Sequence, residues 1–214
     1  MPPDQQSAAQ KQRREAILDK IQQLVFERGF HNLSVDDFAL AAQYTKRALY
    51  HYFKDKDEIF FALVARGLQI LREKFVNVEA NTLPGKEGAK QFIEAFYEFS
   101  VNQPQFFELW MHYESSRHVY GIGRSEGNEG WQECQNLSYD LLTILVKWLS
   151  IEKQEGRLKT ELEALPLMLL FWGQTVGIMQ ILLMRRVGFE NVYGISQRDF
   201  FNEFVDNLLT SFWK

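Results

Sequence analysis

Apolar residues recur along this chain at three- and four-residue spacing, and no stretch alternates with the period of two that a half-buried strand requires. Ile17, Ile21, Leu24 and Val25 fall on one side of a first helix, and Gly29 is placed to end it in the left-handed region. Ser34, with Asp37 three residues on, resembles a capping box; Phe38, Ala41 and Ala42 then give a short helix with a small apolar face. Only Gln43 and Tyr44 separate it from a third segment, Thr45–Phe53, in which Leu49, Tyr52 and Phe53 make an apolar stripe. Two helices joined by so short a turn must cross steeply, as in a helix-turn-helix. Asp55 and Glu58 look like the next cap, and Ile59, Leu63, Gly67, Ile70 and Phe75 follow a long helix from Asp57 to about Glu79.

The remainder also reads as helix. Ala80 to Gly88 is a break, Phe92, Ile93, Phe96, Tyr97 and Ser100 mark a helix, and Pro104 suits the first turn of the next. Gly121 to Gly130 reads as a mobile loop, and further helices are predicted at about 131–154, 162–186 and 197–213. The fold class is therefore all-α, a small N-terminal helix-turn-helix domain followed by a larger helical bundle. Residues 1–12 are expected to be a disordered tail, 13–56 the first domain and 57–214 the second.

The polar face of Thr45–Phe53 carries the candidate chemistry. Lys46, Arg47, Tyr50 and His51 can all reach phosphates or base edges. A short helix anchored on one side and armed on the other suits a DNA major groove, which is about 12 Å wide and admits one helix. The run from Ile17-Leu18 through Phe26, Gly29-Phe30, Leu33-Ser34-Val35, Phe38-Ala39, Ala42 and Thr45-Lys46 to Ala48-Leu49-Tyr50-His51-Tyr52-Phe53-Lys54-Asp55-Lys56 resembles the DNA-binding domain of TetR-type transcriptional regulators. That family often has Gly where Gln43 and Arg47 stand. The resemblance implies that Tyr50, Tyr52 and Lys56 hold phosphates and that Lys46, Arg47, Ala48 and His51 face the groove. It further implies that Ser34 contacts phosphate at the start of its helix, with Tyr44 and Thr45 completing the DNA-binding set. It also implies an inducer pocket among the later helices and dimerisation through the last two long ones.

Charge sharpens this picture. The net charge is −4, and Lys/Arg and Asp/Glu balance at nine each over residues 1–60, so DNA affinity must come from local placement of cations and from helix N-termini. The composition is 46% hydrophobic, with 18 Phe, 8 Tyr and 5 Trp, more than a small DNA-binding unit needs, so a second apolar core is expected. The single cysteine, Cys134, precludes an intramolecular disulfide and sits among helical-period residues as a buried small hydrophobe. Together with an opening stretch that lacks a signal-peptide pattern, it points to the cytoplasm.

Residues Ala164 to Met184 contain no charge, and Gly173 with Gly177 forms a GxxxG. Length alone would permit a membrane span. Gln174, Thr175 and Gln180 interrupt it, and a central helix shared with a second subunit is the preferred reading, without membrane. Phe201, Phe204, Val205 and Leu208 form another broad apolar face, so that Gly173 and Gly177 with these residues are the expected homodimer interface. The aromatic cluster suggests a cavity for an apolar or aromatic effector, with Phe96, Tyr97, Phe107, Trp110, Met111, His112, Trp131, Trp148, Trp172 and Gln174 as candidate lining. Catalytic signatures are lacking: no Walker loop, HExxH, GxSxG or CxxC occurs. The glycines at 121, 123 and 127 depart from a dinucleotide loop, and His112 with Glu108 lacks a third metal ligand of defensible spacing. No cofactor or metal is expected. The sequence thus predicts a regulator, a repressor released from a palindromic operator by a small ligand. An all-helical small-molecule-binding protein or enzyme without DNA binding is the alternative.

Overall fold

The computed structural model describes residues 3–120 and 128–214. The segment Gly121–Gly127, with most of the predicted mobile loop and the discarded dinucleotide pattern, lies outside the described residues; Glu129 and Gly130, the predicted end of that loop, are instead the first turn of a helix. Among the described residues ten α-helices follow in chain order: α1 Pro3–Arg28, α2 Val35–Ala42, α3 Lys46–Leu49, α4 Lys56–Asn81, α5 Lys86–Asn102, α6 Pro104–Tyr120, α7 Glu129–Gln154, α8 Ala164–Met184, α9 Phe189–Tyr193 and α10 Gln197–Phe212. Among the described residues there is no β-strand, only an isolated antiparallel bridge between Leu158 and Trp213.

Three local differences from the sequence reading have physical causes. Helix α1 begins at Pro3 instead of after residue 12. The run of Gln, Ala, Lys and Arg after the prolines is strongly helix-forming, and Pro fits a first turn. Helix α3 closes at Leu49, short of Phe53. The chain then tightens, with His51 N donating to Ala48 O and Tyr52 N to Leu49 O. Four consecutive aromatic residues, Tyr50 to Phe53, favour a helix poorly. Gly29 ends α1 with φ 78°, as its position predicts, but with an extended ψ of 138° instead of the left-handed value.

The chain divides into two compact units, one of residues 1–67 with 108–135, the other of 68–107 with 136–214. This division departs from the expected boundary at residue 56, because α4 continues the first unit's core through Gly67 and part of α6 and α7 joins it. In the first unit, Ile17, Leu18 and Ile21 of α1, Phe38 of α2, Leu49 and Phe53 around α3, and Ile59, Phe60 and Leu63 of α4 are buried. Phe30 packs between Phe38 and Phe60, at 5.6 and 5.1 Å between ring centroids. Rings of this size contribute about 1.5–3 kcal/mol each when fully buried. Cys134 is buried, its thiol donating to the Phe61 carbonyl, and burial pushes its ionisation far above the ordinary range, as an inert core thiol requires.

The second unit is a helical bundle in which α5, α8 and α10 pack on one another. Phe75, Phe92 and Trp148 form an edge-to-face row with centroids 5.3 and 5.1 Å apart. Near the chain end, Glu152 is wholly buried and accepts from Arg157 Nε and from the Trp213 indole at 3.0 and 2.8 Å.

Candidate functional site

The first unit presents the turn and helix that the spacing singled out. Ser34 caps α2 in a complete capping box: its hydroxyl accepts from Asp37 N, and the Asp37 carboxylate accepts from Ser34 N at 2.7 Å. These hydrogen bonds hold the Asp37 carboxyl below its ordinary range, the Ser34 hydroxyl having the largest effect. The serine expected to touch phosphate is thus committed first to its own helix. Gln43 then takes the left-handed conformation, φ 63° and ψ 38°. Tyr44 N donates to Ala39 O and Gln43 N to Leu40 O, a Schellman closure with glutamine where glycine is easiest. Thr45 starts α3 by accepting from Ala48 N at 3.2 Å.

Anchored by the buried Leu49 and Phe53, this segment turns Lys46, Arg47, Tyr50 and His51 to one open surface. All four are exposed, Ala48 is half-buried beside them, and Tyr44 packs edge-on to Tyr52 at 5.9 Å. The geometry brings the predicted reading residues together. It adds two features that spacing could not reveal. Lys46 is paired with Asp36 of α2 at 3.0 Å, and that carboxylate raises its pKa. Lys56, assigned by resemblance to a phosphate, instead donates to the Leu33 carbonyl and lies over the Phe30 ring at 4.9 Å. Its ammonium ties the start of α4 to the turn before α2.

Arg14 was not singled out by the sequence and also supports the reading segment. It pairs with Glu58 at 3.1 Å and covers the Phe53 ring at 4.5 Å. Glu58 in turn accepts from the backbone N–H of Lys54 at 2.6 Å.

The second unit contains a cavity of about 70 Å³. Phe96, Trp148 and Trp172, three of the ten candidates, line it with Phe92 and Phe171 of the same aromatic cluster, together with residues the sequence did not assign to a cavity, among them Phe75, Met168, Thr175 and Trp213. The other seven candidates lie elsewhere. Phe107 is core, edge-on to Phe96 at 5.8 Å. Tyr97 stacks on Phe201 at 4.2 Å under the Arg198 guanidinium, and Gln174 is exposed, donating to the Leu170 carbonyl. Trp110, Met111, His112 and Trp131 belong to the first unit. There, His112 packs on His31 with centroids 4.1 Å apart, and its pKa is lowered by burial and then by His31. Helical period put all these aromatics on buried faces, but it cannot say which core a face joins. No group of three or more metal-ligating side chains occurs among the described residues.

The expected dimer residues separate in the same way. Phe201, Val205 and Leu208 are buried within the unit, because α10 packs against α5 and α8, and Phe204 is half-buried. On α8, a Cβ at Gly173 or Gly177 would meet nothing within 4 Å. Leu165, Leu169, Leu170, Ile181 and Met184 are exposed on the same helix. Helix α8 is long and apolar enough to cross a membrane by length and composition, and its inner residues Leu167, Met168, Thr175, Met179 and Leu182 are buried in the unit.

A short turn, a cap at each helix start and an exposed cationic face on a buried stripe define a helix-turn-helix DNA-binding protein. The family description "Bacterial regulatory proteins, tetR family" matches residues 17–63, so this segment is a DNA-binding domain of the TetR type. The HTH-type transcriptional activator FasR of Mycolicibacterium smegmatis is 26% identical over 98 residues, 46% of this chain and 45% of that protein, so the match spans less than half of the relative's length. Among solved structures, the transcriptional regulator FadR from Bacillus subtilis in complex with stearoyl-CoA superposes with a TM-score of 0.66, 18% identity, and 92% and 98% coverage of the two chains. AibR in complex with isovaleryl coenzyme A and operator DNA superposes with a TM-score of 0.60, 18% identity, and 78% and 86% coverage. At such identities the structures show the shared fold.

Proposed function

We propose that this chain is a homodimeric transcriptional regulator that binds a palindromic operator through Thr45–Phe53 and is released from it by an apolar ligand held in the second unit. The observation that carries the reading is the open surface of Lys46, Arg47, Tyr50 and His51, raised on the buried Leu49 and Phe53. The family match over residues 17–63 supports it. One such helix reads few base pairs; two related by a two-fold axis read half-sites about 34–36 Å apart, or a multiple of that spacing. The exposed apolar face of α8 supplies a surface for the second copy, with Gly173 and Gly177 allowing close backbone approach. The neighbours solved with isovaleryl coenzyme A and stearoyl-CoA support an effector that carries an apolar acyl chain.

Helix α4 contains both Lys56, beside the reading segment, and Phe75, on the cavity wall. A ligand that binds the DNA-incompetent arrangement more tightly shifts the population through this helix; equal affinity for both arrangements would shift nothing. The test is an anisotropy titration of the purified chain against DNA from upstream of its own gene, with scrambled DNA as control. Specific binding is expected to exceed the scrambled control by about 10³-fold or more. Equal affinity for the two DNAs would overturn the reading.

A further inference from the structure

We propose that Gly88 and Trp148 together set the depth of the second unit's cavity, and that the cavity so shaped takes a short, uncharged aliphatic chain. The inference rests on reading this cavity as the ligand site. Gly88 lies in the first turn of α5, and a Cβ built there would stand 2.0 Å from Trp148 Cζ2, 2.4 Å from Cη2 and 2.8 Å from the Leu83 carbonyl oxygen. Carbon atoms in ordinary contact are about 3.5–4.0 Å apart. The indole of Trp148 therefore sits in the notch left by the missing side chain. Any larger residue at position 88 must drive the ring out by about 1.5 Å or more. The Leu83 carbonyl oxygen, at 2.8 Å, crowds the new atom further. Trp148 is also a wall of the cavity, and Phe92 packs edge-on to it at 5.1 Å, so displacement of the ring changes the space available to a ligand.

The chemistry of the wall fixes the ligand class. Its residues include no charged side chain, and Thr175 supplies the one hydroxyl. A bare carboxylate or ammonium would enter without a counter-charge, with only the Thr175 hydroxyl and indole N–H groups such as that of Trp148 to meet it. The space of about 70 Å³ is about half of the roughly 150 Å³ that admits a benzene ring in an engineered protein cavity. A flexible chain can thread such a space where a ring cannot.

The experiment is isothermal titration calorimetry of the full-length chain with straight-chain primary alcohols from butanol to decanol, and with cyclohexanol. For the native protein, affinity is expected to rise about fourfold per added methylene up to a chain length at which the gain stops. Cyclohexanol should bind at least tenfold more weakly than hexanol. In W148F the smaller ring leaves part of the wall vacant, and the limit moves to longer chains. In G88A the displaced indole shortens the limit or abolishes binding, and G88A/W148F recovers the native limit. Should G88A fail to fold, W148F and the double variant carry the same comparison. Alcohol binding with a limit unchanged in W148F and in the double variant would overturn the role of Gly88 and Trp148 while leaving the cavity a ligand site. Equal affinity for cyclohexanol and hexanol would overturn the ligand class. No alcohol binding to the native chain would remove both this inference and the ligand-site reading beneath it.

Discussion

Gln43 bears the clearest backbone strain among the described residues, as the one non-glycine with positive φ. A residue with a Cβ loses about 1–2 kcal/mol in the left-handed region, which glycine does not. Gln43→Gly should therefore stabilise the first unit by about 1 kcal/mol, the usual entropic cost of glycine lowering the gain. Chemical denaturation followed by circular dichroism would check this, and a destabilised variant would mean that the glutamine side chain has a compensating contact. A second residue-scale effect concerns Lys46, which Asp36 holds at 3.0 Å on the reading surface. Both side chains are exposed, so the pair itself adds little to stability. On DNA, however, Asp36 is a negative charge beside the polyanion and a competitor for the lysine. Asp36→Asn should tighten operator binding a few-fold and steepen its salt dependence by up to about one phosphate contact. An unchanged salt slope would show that Lys46 stays away from the phosphates.

At the scale of elements, the end of α10 is fastened by one buried carboxylate. Glu152 of α7 accepts from two guanidinium nitrogens of Arg157, each at 3.0 Å, and from the Trp213 indole at 2.8 Å. Backbone bonds between Lys159 N and Phe212 O, and between Lys214 N and Arg157 O, close the same corner. Removing the carboxylate leaves Arg157 with only the exposed Glu155 as its partner and the indole N–H unmatched. Breaking a buried pair from one side costs about 3–5 kcal/mol, and the partial exposure of Arg157 places Glu152→Ala toward the lower end. Thermal melting of the variant should fall by roughly 5–10 °C at this chain length. A melting point within a degree of the native one would show that the corner contributes nothing to global stability.

For the whole molecule, the outer face of α8 is an exposed apolar surface, with Leu169 59% and Met184 78% exposed. Faces of this kind mark association surfaces. A leucine at Gly177 would place a branched side chain where two backbones are expected to meet. Gly177→Leu should convert a dimer to monomer at micromolar concentration in light scattering, while leaving the fold intact, since a Cβ at that position meets nothing within 4 Å in the chain itself. Because a single reading helix gains most of its operator affinity from its two-fold mate, the monomer should bind a half-site and the full operator alike. A native chain that is already monomeric at that concentration would contradict the proposed assembly.

Periodicity and caps alone determined most of the helices and the reading segment. Ile17 to Val25, the Ser34–Asp37 box and the Leu49–Phe53 stripe are local patterns, and a helix answers to its own neighbours in sequence. The same logic found Lys46, Arg47, Tyr50 and His51, since residues opposite an apolar stripe must face outward. What local pattern could not decide was the partner of each apolar face and each cation. Phe201, Val205 and Leu208 look alike whether they meet a second copy or α5 and α8 of their own chain. Trp110 and His112 share their helix with Phe107, yet they join the first unit's core while Phe107 joins the second's. Lys56 reads only as a surface cation until the Leu33 carbonyl, 23 positions away in sequence, is placed beside it. Trp148 is one more buried aromatic until the bare backbone of Gly88 is set against its ring. Hydrophobic burial is non-directional, so the sequence determines that a face is buried, whereas the packing of distant segments decides against what.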